Sequence, residues 1–592
     1  MCWGRIDKAL QKMCDCVDIE LPFDEFLDAV KRGREILNPI LKCRNGDSAP
    51  TLYAIGHSHL DLEWLWTKEE TRRKIARTIG NQLMLIREYK DYKYVQSQPW
   101  LLEILKCEYA DLYQELKRAV KEGNIIIEGG MWVESDVNIP CGESLIRQFL
   151  FGKKFIKDEF GLESEILWLP DIFGVSPALP QIMKGCGIQY FMNAKIPWQY
   201  NGGDKIPHSN FMWQGIDGSM VLTNLTQDYA TELTPSKVIE KWNMNQEKAD
   251  VPIQLLPYGH GDGGGGATRI HLEYLKRENN LEGMPKVISK SPNLFFETLA
   301  HRCEINERYV GELYYTAHRG TYTAQAKTKK LNRQSEFALR EVELWSAFFQ
   351  YQTKEEVDEQ WKTVLFHQFH DILPGTAIDE VYVQAEKAYN EVLAKTKVMT
   401  TNICREAVKE KQGYITVFNS LSWDRKVCIT LPEGYTSIEN GETQNVGTKT
   451  LAMVDVPACG FCSYQLGKKS LPVGKKGKEY VLENDLIRVE FNQNGEMICA
   501  YDKEKKMEYL AKPSNVFRMY QDMPTVFDAW DIDSFYEKTE IKLSEKAEMQ
   551  IEYQGDIMSS LLISKKILNS SLRQRVILRK YSKKIEFETE IA

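Results

Sequence analysis

From Thr51 to about Arg302 short apolar runs alternate with longer amphipathic segments, and this alternation limits the possible folds more than any other feature of the chain. Residues 52–55, 92–96, 125–128, 166–169, 189–192, 221–225 and 253–256 read as seven strands. Residues 68–89, 101–121, 144–160 and 267–277 read as helices lying between most of them. A strand that reaches its neighbour through a helix runs parallel to it, so repeated units of this kind predict a barrel or a doubly wound sheet. In both architectures ligands collect at the C-terminal ends of the strands.

At 592 residues the chain is too long for one hydrophobic core. Residues 1–50 read as a helical preface, with Phe23, Phe26, Leu27 and Val30 at helical spacing, and 51–320 form the α/β domain. Residues 321–412 carry helical periodicity in three stretches: Ala338, Val342, Trp345 and Phe349, then Trp361, Leu365 and Phe369, then Ala385, Tyr389 and Val392. They predict a three-helix bundle. Residues 413–592 change to short alternating runs with turn residues, which predict a β-sandwich. It stops directly after a strand-like run, so the sandwich is expected to be incomplete.

A net charge of -8 over this length argues against nucleic acid or an anionic membrane as partner, since either favours a basic face. No segment approaches the run of about 20 apolar residues that spans a bilayer, and the first twenty residues lack the core of a signal peptide. The 13 cysteines are scattered and odd in number; Cys459 and Cys462 form half a zinc ribbon at most and read as two ordinary thiols. Reduced cysteines and no export signal predict a cytoplasmic protein.

Chemistry concentrates in a few places. Five of the nine histidines, His57, His59, His260, His367 and His370, fall in three short segments. His59 and Asp61 lie two apart at the end of a strand, so both can turn toward one ion. His367 and His370 are three apart on an expected helix and share a face, with Asp371 next and Pro374-Gly375 ending the helix. Asp171 follows a buried strand and Pro170; it either caps the next helix or meets a cation. Four glycines after Asp262 clear side chains from around it, which suits a general acid approached by a bulky polar ligand.

In this order the segments resemble glycoside hydrolase family 38, the zinc-dependent α-mannosidases. The likeness rests on His57-Ser58-His59-Leu60-Asp61-Leu62-Glu63-Trp64, Trp168-Leu169-Pro170-Asp171-Ile172-Phe173-Gly174, Gly261-Asp262-Gly263-Gly264-Gly265-Gly266, Arg319-Gly320-Thr321-Tyr322-Thr323 and His370-Asp371-Ile372-Leu373-Pro374-Gly375-Thr376. Each motif alone is modest, and the five together are highly specific. Leu60-Asp61-Leu62-Glu63-Trp64 and the Leu-Pro-Gly after His370-Asp371 are similar to the cytosolic and vacuolar branch. A (β/α)-type barrel of seven strands is the form the resemblance favours.

The resemblance implies one Zn2+ per chain held by His59, Asp61, Asp171 and His370, with Asp171 also the nucleophile and Asp262 the acid/base. Two imidazoles and two carboxylates suit that ion. It implies a retaining exo-α-mannosidase acting on mannose-containing oligosaccharides or glycans, with the two reacting carboxyl groups about 5 to 5.5 Å apart. Trp64 and Phe173 are expected as apolar walls for the sugar, and Asp371 as a partner of a sugar hydroxyl. Tyr258, His260, His318 and Arg319 are expected around the site, with Asp228-Tyr229 a weaker candidate. Large members of the family often associate, which leaves a homo-oligomer open, while the sequence itself does not set the oligomeric state. The alternatives are a metal-dependent carbohydrate deacetylase, in which the ion activates water, and a non-catalytic carbohydrate-binding homologue.

Overall fold

A computed structural model describes residues 2–46, 48–198, 205–470 and 480–592. The chain divides into two compact units that do not follow chain order. The first consists of Met1–Arg340, Thr353–Lys397 and Val526–Ile532, and the second of Glu341–Gln352, Val398–Thr525 and Asp533–Ala592.

In the first unit ten strands form the frame: β1 (Thr51–His57), β2 (Tyr94–Gln96), β3 (Ile125–Ile127), β4 (Ile166–Trp168), β5 (Tyr190–Asn193), β6 (Asn210–Gln214), β7 (Met220–Leu225), β8 (Ile253–Tyr258), β9 (Lys286–Ser289) and β10 (Arg308–Val310). They make two five-stranded sheets, one in the order β3-β2-β1-β8 with β9 also on β1, the other in the order β10-β6-β7-β5-β4. The first sheet is parallel throughout, and so are the β4-β5 and β5-β7 pairs; only β6 runs antiparallel to β7.

The parallel α/β core is therefore as expected, but ladder pairing does not join the seven expected strands into one continuous barrel sheet. Single hydrogen bonds bridge the two sheets instead: Gly129 N to Ile166 O (3.2 Å) past β3, and Thr226 Oγ1 to Leu255 O (3.1 Å) past β7. Both sheets supply one inner core, with Tyr53, Ile55, Val95, Trp168, Met192 and Leu255 buried together. Strands covered on both faces need continuous apolar runs, which is why these segments were readable in the sequence. Outside them the helices Lys68–Glu88, Pro99–Glu108, Ala110–Lys121 and Gly142–Phe160 present apolar stripes inward. The single helix expected over 101–121 is thus broken at Tyr109, whose backbone leaves the helical region.

Three helices, Ala326–Phe349, Lys354–Phe366 and Asp379–Ala407, occupy the region read as a bundle. One correction concerns His367 and His370. The middle helix ends at Phe366, and residues 367–375 form turns, so the two histidines do not share a helix face. Tertiary ties shape this turn: Asp136 N donates to Gln368 O (2.9 Å), and the Lys329 ammonium donates to the carbonyls of Leu373 (2.9 Å), Pro374 (3.0 Å) and Ala324.

The second unit is built largely of antiparallel strands. Two four-stranded sheets, one running from Val481–Glu483 to Met507–Glu508 and the other from Glu548–Tyr553 to Ile585–Ile591, share a core of Leu482, Val489, Phe491, Leu561, Ile563 and Val576. Cys459 and Cys462 are both free thiols, Cys462 within the strand Gly460–Gly467. Among the described residues no helix is long and apolar enough to cross a membrane.

Candidate active site

The chemical groups of the first unit gather where parallel strands end, as the architecture requires. His59 and Asp61 follow β1, Glu134 follows β3, Asp171 follows β4, Lys195 follows β5, Asp228 and Tyr229 follow β7, and Asp262 follows β8. The turn after Phe366 adds His370 and Asp371. A cavity of about 450 Å3 is lined by Asp61, Trp64, Asp171, Lys195, Asp262 and Asp371 among others.

At its base three ligand-type atoms converge. His59 Nε2 lies 3.0 Å from Asp61 Oδ1, and His370 Nε2 lies 3.5 Å from the same oxygen. None of the three has a partner in hydrogen-bonding geometry, although all are buried. Ligands about 2.1 Å from a tetrahedral ion stand roughly 3.4 Å apart, so the two spacings are compatible with a shared cation, and the missing hydrogen-bond geometry favours one. His59, Asp61 and His370 thus form a cluster able to hold a metal ion. Asp171 Oδ2 lies 4.0 Å from His370 Nε2, at the edge of the same group.

The outer nitrogens of both imidazoles are held by one residue. His59 Nδ1 is 2.9 Å from Glu134 Oε2, and His370 Nδ1 donates to the backbone carbonyl of Glu134 at 2.8 Å. Ser97 Oγ fixes the other carboxylate oxygen of Glu134 at 2.7 Å. The His370 contact puts the proton on Nδ1 and leaves Nε2 free as a ligand, and the Glu134 carboxylate at ion-pair distance from His59 Nδ1 favours the same tautomer there. Sequence reading missed Glu134, because a lone carboxylate past a strand is an ambiguous signal.

The electrostatics point the same way. Burial works against protonating His59 and His370, yet nearby carboxylates outweigh it: Glu134 and Asp61 drive His59 well upward, and His370 rises to about 9. Burial, then Asp61, pushes the Asp371 carboxyl up to about 7. Five carboxylates, Asp61, Asp171, Asp228, Asp262 and Asp371, line the cavity against the two ammonium groups of Lys195 and Lys241. A divalent cation would relieve that excess.

Asp171 and Asp262 are tuned in opposite directions. Burial opposes ionisation of Asp171, but the Lys195 ammonium, 2.8 Å from Oδ1, leads the cationic groups that pull it below its usual range. Burial raises Asp262, and the Tyr229 hydroxyl donates to its Oδ1 at 2.9 Å. The backbone of Asp262 sits at φ +52, and its carbonyl accepts from Asp61 N at 2.8 Å, which ties the glycine loop to the ligand segment.

These motifs and this geometry correspond to known family models. The glycosyl hydrolases family 38 N-terminal domain matches residues 49–324, the alpha mannosidase middle domain 316–406, and the family 38 C-terminal domain 482–592. The chain belongs to glycosyl hydrolase family 38. It is 32% identical over 570 residues to alpha-mannosidase 2C1 of Homo sapiens, covering 92% of this chain and 54% of that protein. It is 32% identical over 542 residues to an alpha-mannosidase of Saccharomyces cerevisiae, covering 87% of this chain and 46% of that one. The chain therefore spans about half the length of the curated relatives it matches. The fold is shared with the crystal structure of an alpha-mannosidase from Enterococcus faecalis, with a TM-score of 0.74 at 16% identity over 92% of this chain and 74% of that one.

The other residues singled out in this family 38 chain are placed unequally. Trp64 and Asp371 line the cavity, as does His318, whose ring packs 4.7 Å from Phe173. Phe173 itself is buried behind it and is not a lining residue. Tyr258, His260 and Arg319 are not brought to the cavity. Tyr258 is buried near Tyr92, exposed His260 faces His271, and exposed Arg319 donates to Thr316 O (3.0 Å). His57 belongs to the inner core, where it accepts from Trp168 Nε1 at 3.2 Å. His367 stacks near Tyr389, with its Nδ1 2.7 Å from Thr363 O. Lys195, Trp198, Phe527 and Trp530 are lining residues that no sequence motif marked.

Proposed function

We propose that this chain is a retaining, zinc-dependent exo-α-mannosidase that removes terminal α-linked mannose from oligosaccharides or glycoconjugates. The observation that carries the reading is the buried, unpartnered convergence of His59 Nε2, Asp61 Oδ1 and His370 Nε2 in one cavity with two oppositely tuned carboxyl groups. His59, Asp61, Asp171 and His370 would hold one Zn2+. That ion supplies a Lewis-acidic grip on vicinal sugar hydroxyls. The two α/β sheets are then read as one interrupted seven-stranded barrel. Twelve of the thirteen cysteines, all but Cys2, are seen as free thiols, which supports a reducing, cytoplasmic setting.

The residues divide the reaction between them. Asp171, kept ionised by Lys195, attacks C1, and the bond from C1 to the leaving oxygen breaks. Asp262, whose carboxyl burial shifts toward its protonated form, gives a proton to that oxygen. Tyr229 occupies Asp262 Oδ1, which leaves Oδ2 to carry the proton. In the second step Asp262 takes a proton from water, whose oxygen displaces Asp171 from C1, so the α configuration is retained. Trp64 offers an apolar wall and Asp371 a hydrogen-bond acceptor within the same cavity.

A fluorinated mannoside that traps the intermediate tests this reading. Mass spectrometry is expected to find the mannosyl adduct on Asp171. Hydrolysis without an adduct, unaffected by Asp171→Ala, would overturn it in favour of direct water attack.

A further inference from the structure

The metal cluster and the mouth of the cavity differ sharply in exposure. His59, Asp61 and His370 are buried, whereas Trp198 and Phe527, which line the same cavity, are 44% and 42% exposed. Their rings meet edge to face at 5.7 Å. Paired aromatic rings that keep part of their surface in a polar cavity offer an apolar face to the ring of a bound sugar.

Phe527 reaches the cavity by an unusual route. Residues 526–532 belong to the first unit, while the chain on both sides of them belongs to the second. The segment is closed by its own turn, with Trp530 N and Asp531 N both donating to Phe527 O at 2.9 and 3.0 Å. Its backbone lies on Gly320: a side chain there would put its Cβ 3.0 Å from Trp530 O. Trp530 meets Trp64 edge to face (6.3 Å) and lies tilted against His318 (5.9 Å). Phe527 itself sits at φ +57, a conformation that bulky side chains avoid. Backbone strain of this kind persists where surroundings fix it, and it concentrates at ligand clamps.

The direction of the cavity follows from burial. An exo-acting enzyme takes the terminal sugar deepest, so the leaving group lies toward the mouth. Lys195 links the two ends, with its Nζ 2.8 Å from Asp171 Oδ1 and 4.7 Å from the centre of the Trp198 ring. The mouth aromatics are therefore next to the reacting carbon, on the exit side.

Resting on the mannosidase reading, we propose that Trp198 and Phe527 form a leaving-group subsite that stacks on the apolar face of a second sugar ring. The preferred substrates are then mannosides whose leaving group is another pyranose, not small or acyclic alcohols. The test compares kcat/KM for α-mannosyl fluoride, which has a one-atom leaving group, with a panel of α-linked mannobioses. In Trp198→Ala and Phe527→Ala the ratio of mannobiose to fluoride turnover is expected to fall about 3- to 10-fold each, the worth of one aromatic contact. Phe527→Tyr, which keeps the ring, is expected to hold the ratio within about twofold. A ratio unmoved by both alanine variants overturns the subsite, as does Phe527→Tyr falling as far as Phe527→Ala, which would assign the ring to packing. Wild type inert toward fluoride and mannobioses alike would instead refute the mannosidase reading, and the subsite with it.

Discussion

Glu134→Gln is the most discriminating single change, because it alters charge at the metal cluster while leaving shape alone. Glu134 is buried, with one carboxylate oxygen 2.9 Å from His59 Nδ1 and the other bound by Ser97 Oγ. The amide can still accept from His59 through its oxygen and donate to Ser97 through its nitrogen. Its backbone carbonyl still accepts from His370 Nδ1. What is lost is the difference between a charge-assisted and a neutral hydrogen bond, about 1.5 kcal/mol, or roughly a tenfold weaker hold on zinc. Second-sphere partners of this kind are typically worth about 10- to 100-fold in metal affinity. Proton competition modifies the sign in a defined way: the Glu134 charge also raises the proton affinity of His59, so the gap narrows as pH falls. Competition against a chromophoric chelator at several pH values measures it, and activity at saturating zinc is expected to return to near wild type. Equal zinc affinity in both proteins, or activity that zinc cannot restore, would refute the outer-sphere role of Glu134.

Asp262→Asn is expected to lower kcat/KM on a mannobiose by about 100- to 10,000-fold, yet to slow α-mannosyl fluoride far less, since fluoride leaves without a proton. Similar losses on both substrates would remove Asp262 from the acid role. The pH profile follows from the two opposed carboxyls: activity is lost on the acid side as Asp171 protonates and on the alkaline side as Asp262 ionises. Lys195→Met removes the leading charge that holds Asp171 down, so the acid limb moves to higher pH while the alkaline limb stays; an unmoved acid limb contradicts the pairing. Glu278, at the end of the helix Arg269–Glu278, has two buried oxygens without partners, and burial raises it to about 8. Its folded value lies above the unfolded one of about 4.3, so it lowers stability progressively as pH rises from there to about 8. Glu278→Leu should therefore raise the thermal midpoint, by more at pH 8 than at pH 5; a gain independent of pH would mean the carboxyl is not the cause.

How much of this was legible depended on whether the signal was local. β1, β4, β7 and β8 are buried on both faces, so continuous apolar runs announced them. β6, β9 and β10 were missed: Arg308–Val310 has no buried residue, and Asn210 and Lys286 open the other two with polar side chains. The His370 turn was misjudged because Phe366–Pro374 carries no helix-ending residue before Pro374. The helix stops early through contacts with Asp136 and Lys329, which are distant in sequence. Metal ligands are visible because histidine paired with aspartate at short spacing is rare by chance. Lys195 and Glu134 are single charged residues past strands, and nothing local distinguishes them from solvated ones.

Why an enzyme of this design needs the buried end of its cavity so acidic follows from the same numbers. Without a cation, Asp371 is pushed up to about 7 and His370 to about 9, so the cluster relieves its crowded negative charge by binding protons. Those protons would sit on the groups meant to hold the metal and grip the sugar. A divalent ion would replace them and take Nε2 of both imidazoles and Oδ1 of Asp61 as ligands, with Glu134 against both Nδ1 atoms behind. Lys195 performs the matching task for Asp171 from the other side, at 2.8 Å. Asp262 has no ammonium beside it; among the described residues Tyr229 alone donates to its carboxylate, and burial leads the shift that suits it to the proposed acid role. The proposed acid and nucleophile are thus separated by the Lys195 ammonium, which reaches Asp171 and leaves burial to dominate at Asp262, not by their own chemistry.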